Sequence, residues 1–424
     1  MPFGSAASFI RGAGWVVGDQ ALISATNFLG MVIAARVLSP ADFGTYALAY
    51  SGLWALNSVQ ASLITQPHSV LASHRDPAEY GSYTSATAVM QVALTAAIGL
   101  PILVAGLVAL ALGLGPVLLM VGLAVVAWQA QEFFRRVLYF EGRMPAVIAL
   151  DVISYGGQLA AIVGLAALGQ LTVASALLAA AVTSAAGALV GLVLLRATLS
   201  HRPLPGAISQ NIVHGRWLLG AELGSFICMS GYPFVLAIAV GAEAVAVYAA
   251  ATLILNPLNV IWFAAGTALP IRLSRARARD GDMAARRELR NVFAASMPVV
   301  GGYCLVVAIF GGWIMSTVFG PAYAGFGWVA VGTAAIRAFG FISHLLSIGL
   351  RSLQQTRPIF VGYAAAIPFS LVVGTLLTIR FGIAGALVAI FASHVIWTAI
   401  WARAYFRGSE VGQTRGTTAQ QPGG

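Results

Sequence analysis

At 424 residues the chain could hold two or three soluble domains of about 150 residues, but 59% of it is hydrophobic, 8% is charged and the mean hydropathy is +0.88. A soluble protein carries about 25% charged residues, so most of the apolar surface here must face lipid. The net charge is +10 with 23 basic residues, all of them arginine, which excludes mechanisms built on a lysine amine and points the basic excess at acidic headgroups rather than nucleic acid.

In chain order, the first apolar run follows Arg11 and carries Asp19, Gln20 and Asn27, which mark it as a retained span rather than a cleaved leader. A spanning helix needs about 20 mostly apolar residues. Twelve runs qualify: 14–36, 42–65, 84–107, 113–134, 145–168, 171–195, 217–240, 244–270, 293–318, 327–350, 358–379 and 382–405. The third and fourth are separated only by Gly113 and Gly115-Pro116. The expected organisation is a cytoplasmic amino-terminal segment 1–13, an N-lobe 14–196, a cytoplasmic linker 197–216, a C-lobe 217–407 and a tail 408–424. The tail is poor in apolar residues and is expected to be disordered. Cys228 and Cys304 lie inside apolar runs with no zinc spacing, so they read as buried side chains.

Twenty of the 23 arginines fall in the amino terminus, 66–83, 135–144, 196–216, 271–292, 351–357 or the carboxyl tail. Arg36 and Arg380 alone lie on the other side, and Arg337 lies inside a span. This asymmetry places both termini in the cytoplasm of a multi-pass inner-membrane protein. The outer connections 37–41, 169–170, 241–243 and 380–381 leave no room for the outer domain that a membrane glycosyltransferase or polysaccharide polymerase needs. No nucleophile–base–acid set, phosphate loop or metal cluster emerges, so no catalytic residue, cofactor or metal is expected.

Two halves align at an offset of 202: Trp15, Gly18 and Gln20 fall on Trp217, Gly220 and Glu222, and Tyr46 falls on Tyr248. Pro145 and Pro358 each open a fifth span. The shared order indicates a six-plus-six duplication. Because six is even, the halves enter the membrane alike, as repeats about an axis along the membrane normal do.

The stretch Arg11-Gly12, Trp15, Asp19-Gln20, Asn27-Phe28, Ala35-Arg36-Val-Leu-Ser-Pro40, Asp42-Phe43-Gly44, Tyr46, Gln60 and Gln66-Pro67 resembles the start of Wzx-like polysaccharide flippases. These belong to the multidrug, oligosaccharidyl-lipid and polysaccharide exporter superfamily. The resemblance is dense over 11–70, and beyond it is one of layout. It implies an all-α, V-shaped transporter of twelve helices in two six-helix lobes, with a central cleft and alternating access. It also implies a bacterial role in lipopolysaccharide or exopolysaccharide biosynthesis, an undecaprenyl-pyrophosphate-type oligosaccharide as cargo, and polysaccharide assembly proteins as partners.

An ionisable group inside a span costs about 2.5–3.5 kcal/mol or more at the helix centre, so each needs a reason. Arg337, His344 and Arg351 are seven residues apart and share one helical face. Such a stripe suits a cavity wall that meets phosphate oxygens, or a lock within the bundle. Asp19, Asp151 and Glu222 are candidates for ion coupling. The competing expectation is that they complement the positive ends of helices that start in the cytoplasm. Tyr46, Tyr50, Trp54 and Asn57 form one face, and Gln20, Ser24 and Asn27 another. Rings and amides suit a sugar, so Tyr50, Trp54, Asn57, Gln20 and Asn27 are candidate substrate contacts; packing between helices is the alternative. His394 and Trp397 read as packing. The expected function is outward flipping of a lipid-linked oligosaccharide. An ion-coupled multidrug antiporter of the same fold is the nearest alternative, and a polymerase or a non-transporting scaffold is more distant.

Overall fold

The computed structural model describes residues 6–418. Helix α1 (Ala6–Val37) is uninterrupted. It ends at Ser39, whose hydroxyl accepts from the Asp42 amide at 3.1 Å and caps the next helix, which Pro40 opens. That helix, α2, runs over Pro40–Gln60, a π turn at Ala61–Thr65 and Gln66–Ala72. Then come α3 (Pro77–Ala111), α4 (Val117–Phe140) and α5 (Met144–Asp151, a π turn at Val152–Gly156, then Gly157–Ala167). Helix α6 (Val173–Leu195) is closed at its start by a reciprocal Thr172–Ser175 capping box.

The second set repeats the plan. Helix α7 comprises Ala207–Ser225, a π turn at Phe226–Ser230 and Tyr232–Ala239, bent by 43°. Helix α8 starts with Ala242–Leu253, passes the 3-10 turn Asn256–Leu258 and continues to 279. Gly281, at φ 76° and ψ −171°, breaks the chain there, a conformation that a Cβ would oppose. Helix α9 (282–319) and α10 (Gly327–Ser352) follow. Helix α11 comprises Arg357–Pro368, a π turn at Phe369–Gly374 and 375–381; Gly382, at φ 58°, separates it from α12 (383–418).

By length and apolarity alone, eight or nine of these stretches could cross a membrane. The count reaches the expected twelve for two reasons. Asn256–Phe319 and Arg357–Arg407 are each two helices joined at a break, and α2 is too polar to qualify unaided. The described residues form no strand. The break between α3 and α4 falls at Gly113 and Gly115, both at positive φ, where the sequence places it. Helices α5 and α11 both carry proline at their second position and a π turn further on, as a duplication requires.

The chain packs as two units, Met1–Leu223 and Gly224–Gly424. The segment read as a linker docks on the first unit: the Leu204 amide donates to Ser82 O at 3.0 Å, and the Tyr83 hydroxyl donates to Asn211 Oδ1 at 2.8 Å. Within that unit Ile64, Met90, Phe133, Val137, Leu150 and Leu195 share one core. Small residues bring α6 against α4; a Cβ on Gly191 would lie 2.5 Å from that of Phe134. Of the segment 1–13, residues 6–13 are helical and 1–5 lie outside the described residues. Helix α12 runs on to Thr418, through much of the tail expected to be disordered, and 419–424 lie outside the described residues.

The breaks fix a topology experiment. Reporters fused after residues 75, 143, 205 and 282 are expected to read cytoplasmic, and those after 40 and 242 external. Every one of these positions lies in or beside a break between helices. A cytoplasmic reading at 242 would remove both the span count and the duplication.

Candidate functional site

In the first unit, Asp19 of α1 and Asp151 of α5 are brought together by a residue absent from the predicted set, Arg135 of α4. The Arg135 guanidinium donates to Asp19 Oδ2 at 2.5 Å and to Asp151 Oδ2 at 2.8 Å, with Glu132 at 3.5 Å. Arg136 donates through Nε to Glu132 Oε1 at 2.5 Å. Asp19 and Asp151 are 0% exposed, Arg135 2% and Glu132 5%, so this is a buried network and not a surface pairing. The two-sided grip uses the planar fork that a lysine lacks. The sequence places Arg135 in a cytoplasmic connection, because two arginines end the apolar run; the structure corrects this, since α4 continues to Phe140 and turns Arg135 inward. Asp19 is also thirteen residues into α1, beyond the first turn where a helix end acts. Its partner is therefore Arg135 and not the helix end. Glu222 is exposed on α7 and takes no part in this network.

One turn along α5, the aromatic and amide residues meet each other. The Tyr50 hydroxyl donates to Asn27 Oδ1 at 2.7 Å, Trp128 Nε1 donates to the Tyr155 hydroxyl at 3.1 Å, and Gln158 Nε2 reaches the Tyr46 hydroxyl at 3.5 Å. Tyr50 stacks on Trp128 and Trp54 meets it edge-on. Two cavities among these rings measure about 10 Å³ each, room for about one water apiece. Tyr50 and Asn27 thus satisfy one another across the α1–α2 contact. Trp54 is exposed, Gln20 is half-buried on α1 and Asn57 is buried on α2.

In the second unit, Arg337 lies in the eleventh position of the 26-residue α10, about 15 Å along it at 1.5 Å per residue. Its guanidinium lies 5.4 Å from the ring centroid of Trp262, on α8, and His344 stacks on the same indole at 5.3 Å. The two members of the stripe therefore share one aromatic plate that the sequence did not single out. No hydrogen bond or ion pair to Arg337 occurs among the described residues. A cation–π contact tolerates burial of the charge but leaves the five donors of the guanidinium facing elsewhere. Arg351 is exposed near the end of α10. His394 and Trp397 pack together at 4.5 Å, as expected. No group of three metal-ligating side chains occurs among the described residues.

No protein-family model matches the sequence, and no curated protein matches it. Solved structures do. A multidrug resistance MATE family transporter of the MOP superfamily in its inward-facing conformation superposes with a TM-score of 0.72 at 14% identity, over 92% of this chain and 96% of that one. The lipid II flippase MurJ, inward closed, gives a TM-score of 0.66 at 10% identity, over 93% and 87%. A MOP superfamily transporter from Pyrococcus furiosus, described as having a binding pocket of reversed polarity, gives 0.62 at 14% over 97% and 96%. This is a multi-pass membrane protein with the twelve-helix fold that these transporters and flippases share.

Proposed function

We propose that the protein is a Wzx-like flippase that moves a lipid-linked oligosaccharide, of the undecaprenyl-pyrophosphate type, outward across the inner membrane of a bacterium. The observation that carries this reading is Arg337: a guanidinium midway along a helix, seated on an indole, with no ion pair to a carboxylate among the described residues. A cation held this way suits an anionic headgroup. An antiporter of cationic drugs needs carboxylates available in its path, and here Asp19 and Asp151 are already held by Arg135. His344, beside Arg337 on Trp262, would add one hydrogen bond of about 0.5–1.5 kcal/mol. Trp54 would offer an exposed ring to a sugar. Around the 280–281 break Arg275, Arg279, Arg287 and Arg290 are exposed, a surface suited to anionic lipid headgroups.

The test is reconstitution. Vesicles holding the protein should translocate a pyrophosphate-linked oligosaccharide and should not export a cationic dye such as ethidium; the reverse result would give the protein to the antiporters. The same assay decides what the acids do. In Asp19→Asn and Glu222→Gln variants, any dependence of transport on a proton or sodium gradient is expected to persist, because Asp19 serves Arg135. Its disappearance in either variant, with protein amount unchanged, would make that acid a coupling residue.

A further inference from the structure

The core between α2, α3 and α4 contains polar side chains that none of the roles above uses. Gln60 Nε2 donates to Gln129 O at 2.8 Å, Gln91 Nε2 donates to the Thr95 hydroxyl at 2.8 Å, and that hydroxyl donates to Gln129 Oε1 at 2.9 Å. Gln60, Gln91 and Gln129 are all buried. Three of their atoms have no partner among the described residues: Gln60 Oε1, Gln91 Oε1 and Gln129 Nε2. Turning an amide over does not remove the deficit. Thr95 has a single hydroxyl proton, so it can serve one carbonyl and not two.

Further toward the start of α3, on the same helical face as Gln91, His68 meets Thr87 at 3.1 Å. The Thr87 hydroxyl gives its proton to Thr84 O at 2.8 Å, which leaves its oxygen able to accept from His68 Nδ1–H. With the proton on Nδ1, Nε2 is a bare acceptor, buried and without a partner among the described residues. A buried polar atom left unpaired at lipid depth costs several kcal/mol, and native interiors contain few of them. At the amide group the missing partner must donate to two acceptors and accept from one amide, and at His68 it must meet one ring nitrogen. A cation cannot bind the Gln129 amide hydrogens, and Glu132, one turn further along α4, is already held by Arg135 and Arg136. An anion at the amide group would face two acceptors. Water does both.

We propose that the first unit binds internal water at two stations: the amide group Gln60–Gln91–Gln129 in the membrane interior, and His68 near its cytoplasmic end. The water completes the unpaired atoms at each station.

Hydroxyl-radical footprinting of the full-length protein, read by mass spectrometry, tests this because radicals generated from bound water label the side chains beside it. Met90 neighbours Gln91 and shares the Ile64 and Phe133 core, and Met315 is a second buried methionine, at 0% exposure against 8% for Met90. Met90 should label at least several-fold faster than Met315, and His68 several-fold faster than the buried His394. In a Gln91→Leu/Gln129→Leu variant the Met90 rate should fall toward that of Met315. Equal rates for Met90 and Met315 in the unmodified protein would overturn the amide station, and equal rates for the two histidines would overturn the His68 station. Neither comparison depends on a variant folding or on the nature of the cargo.

Discussion

Arg337→Ala is expected to abolish transport while the protein still inserts and accumulates, and Arg337→Lys to keep part of it. Alanine removes the charge from the face of Trp262 without breaking a hydrogen bond or an ion pair, since none to Arg337 occurs among the described residues. The bundle therefore has little to lose, whereas the proposed anionic cargo would lose the guanidinium midway along α10. Lysine restores the positive charge but not the planar two-pronged geometry, so an intermediate result follows. His344→Ala is expected to do less, at about 0.5–1.5 kcal/mol for one hydrogen bond. Complementation of a flippase-deficient strain, with membrane levels measured alongside, provides the readout. Full complementation by the alanine variant would end the phosphate role, and disappearance of the protein would instead make Arg337 a residue that holds the bundle together.

Arg135→Ala is expected to do the opposite, removing the protein rather than its activity. It would leave Asp19 and Asp151, both fully buried, without their shared guanidinium. Breaking a buried ion pair by deleting one partner costs about 3–5 kcal/mol, because the surviving charge has neither water nor a counter-ion. Replacing all members by neutral groups of similar size is often nearly harmless. Arg135→Met combined with Asp19→Asn and Asp151→Asn should therefore be more stable than Arg135→Ala alone. Thermal unfolding in detergent and membrane abundance measure both arms, and the non-additivity itself reports the coupling. An Arg135→Ala protein as stable as the parent would show that the network carries no stability.

What the sequence could reveal follows from the range of its signals. Breaks are local, and glycine and proline announce them. The break at Gly113 and Gly115 therefore stands where the residues say, the Ser39-Pro40 cap falls inside the connection read at 37–41, and the one read at 380–381 falls a residue later, at Gly382. Intramembrane charge is local too, and it singled out Asp19, Asp151 and Arg337. Partners are not local. Trp262 is 75 positions from Arg337, and nothing on α8 marks that ring as the plate on which two residues of α10 rest. Arg135 was hidden for a related reason. Adjacent arginines at the end of an apolar run normally face water, and only the arrival of two carboxylates from α1 and α5 turns one of them inward. The signal was nonetheless present, since Glu132 sits one turn before both Arg135 and Arg136 and gave α4 the start of a charge network.

The π turn in α5 also changes what a helical wheel means for this chain. In a regular α-helix residues seven apart lie within about 20° of one another, so Asp151 and Gln158 would point the same way. The turn Val152–Gly156 lies between them and accommodates one extra residue, which rotates everything beyond it by about 100°. Asp151 consequently faces Arg135 on α4, while Gln158 faces Tyr46 on α2. A single helix thus addresses two neighbours from positions that would otherwise compete for one. Deleting one residue from that turn would make the helix regular and still leave the carboxylate and the amide about 120° apart, because six residues at about 100° each turn through about 600°; the extra residue is thus absorbed locally and neither neighbour is lost.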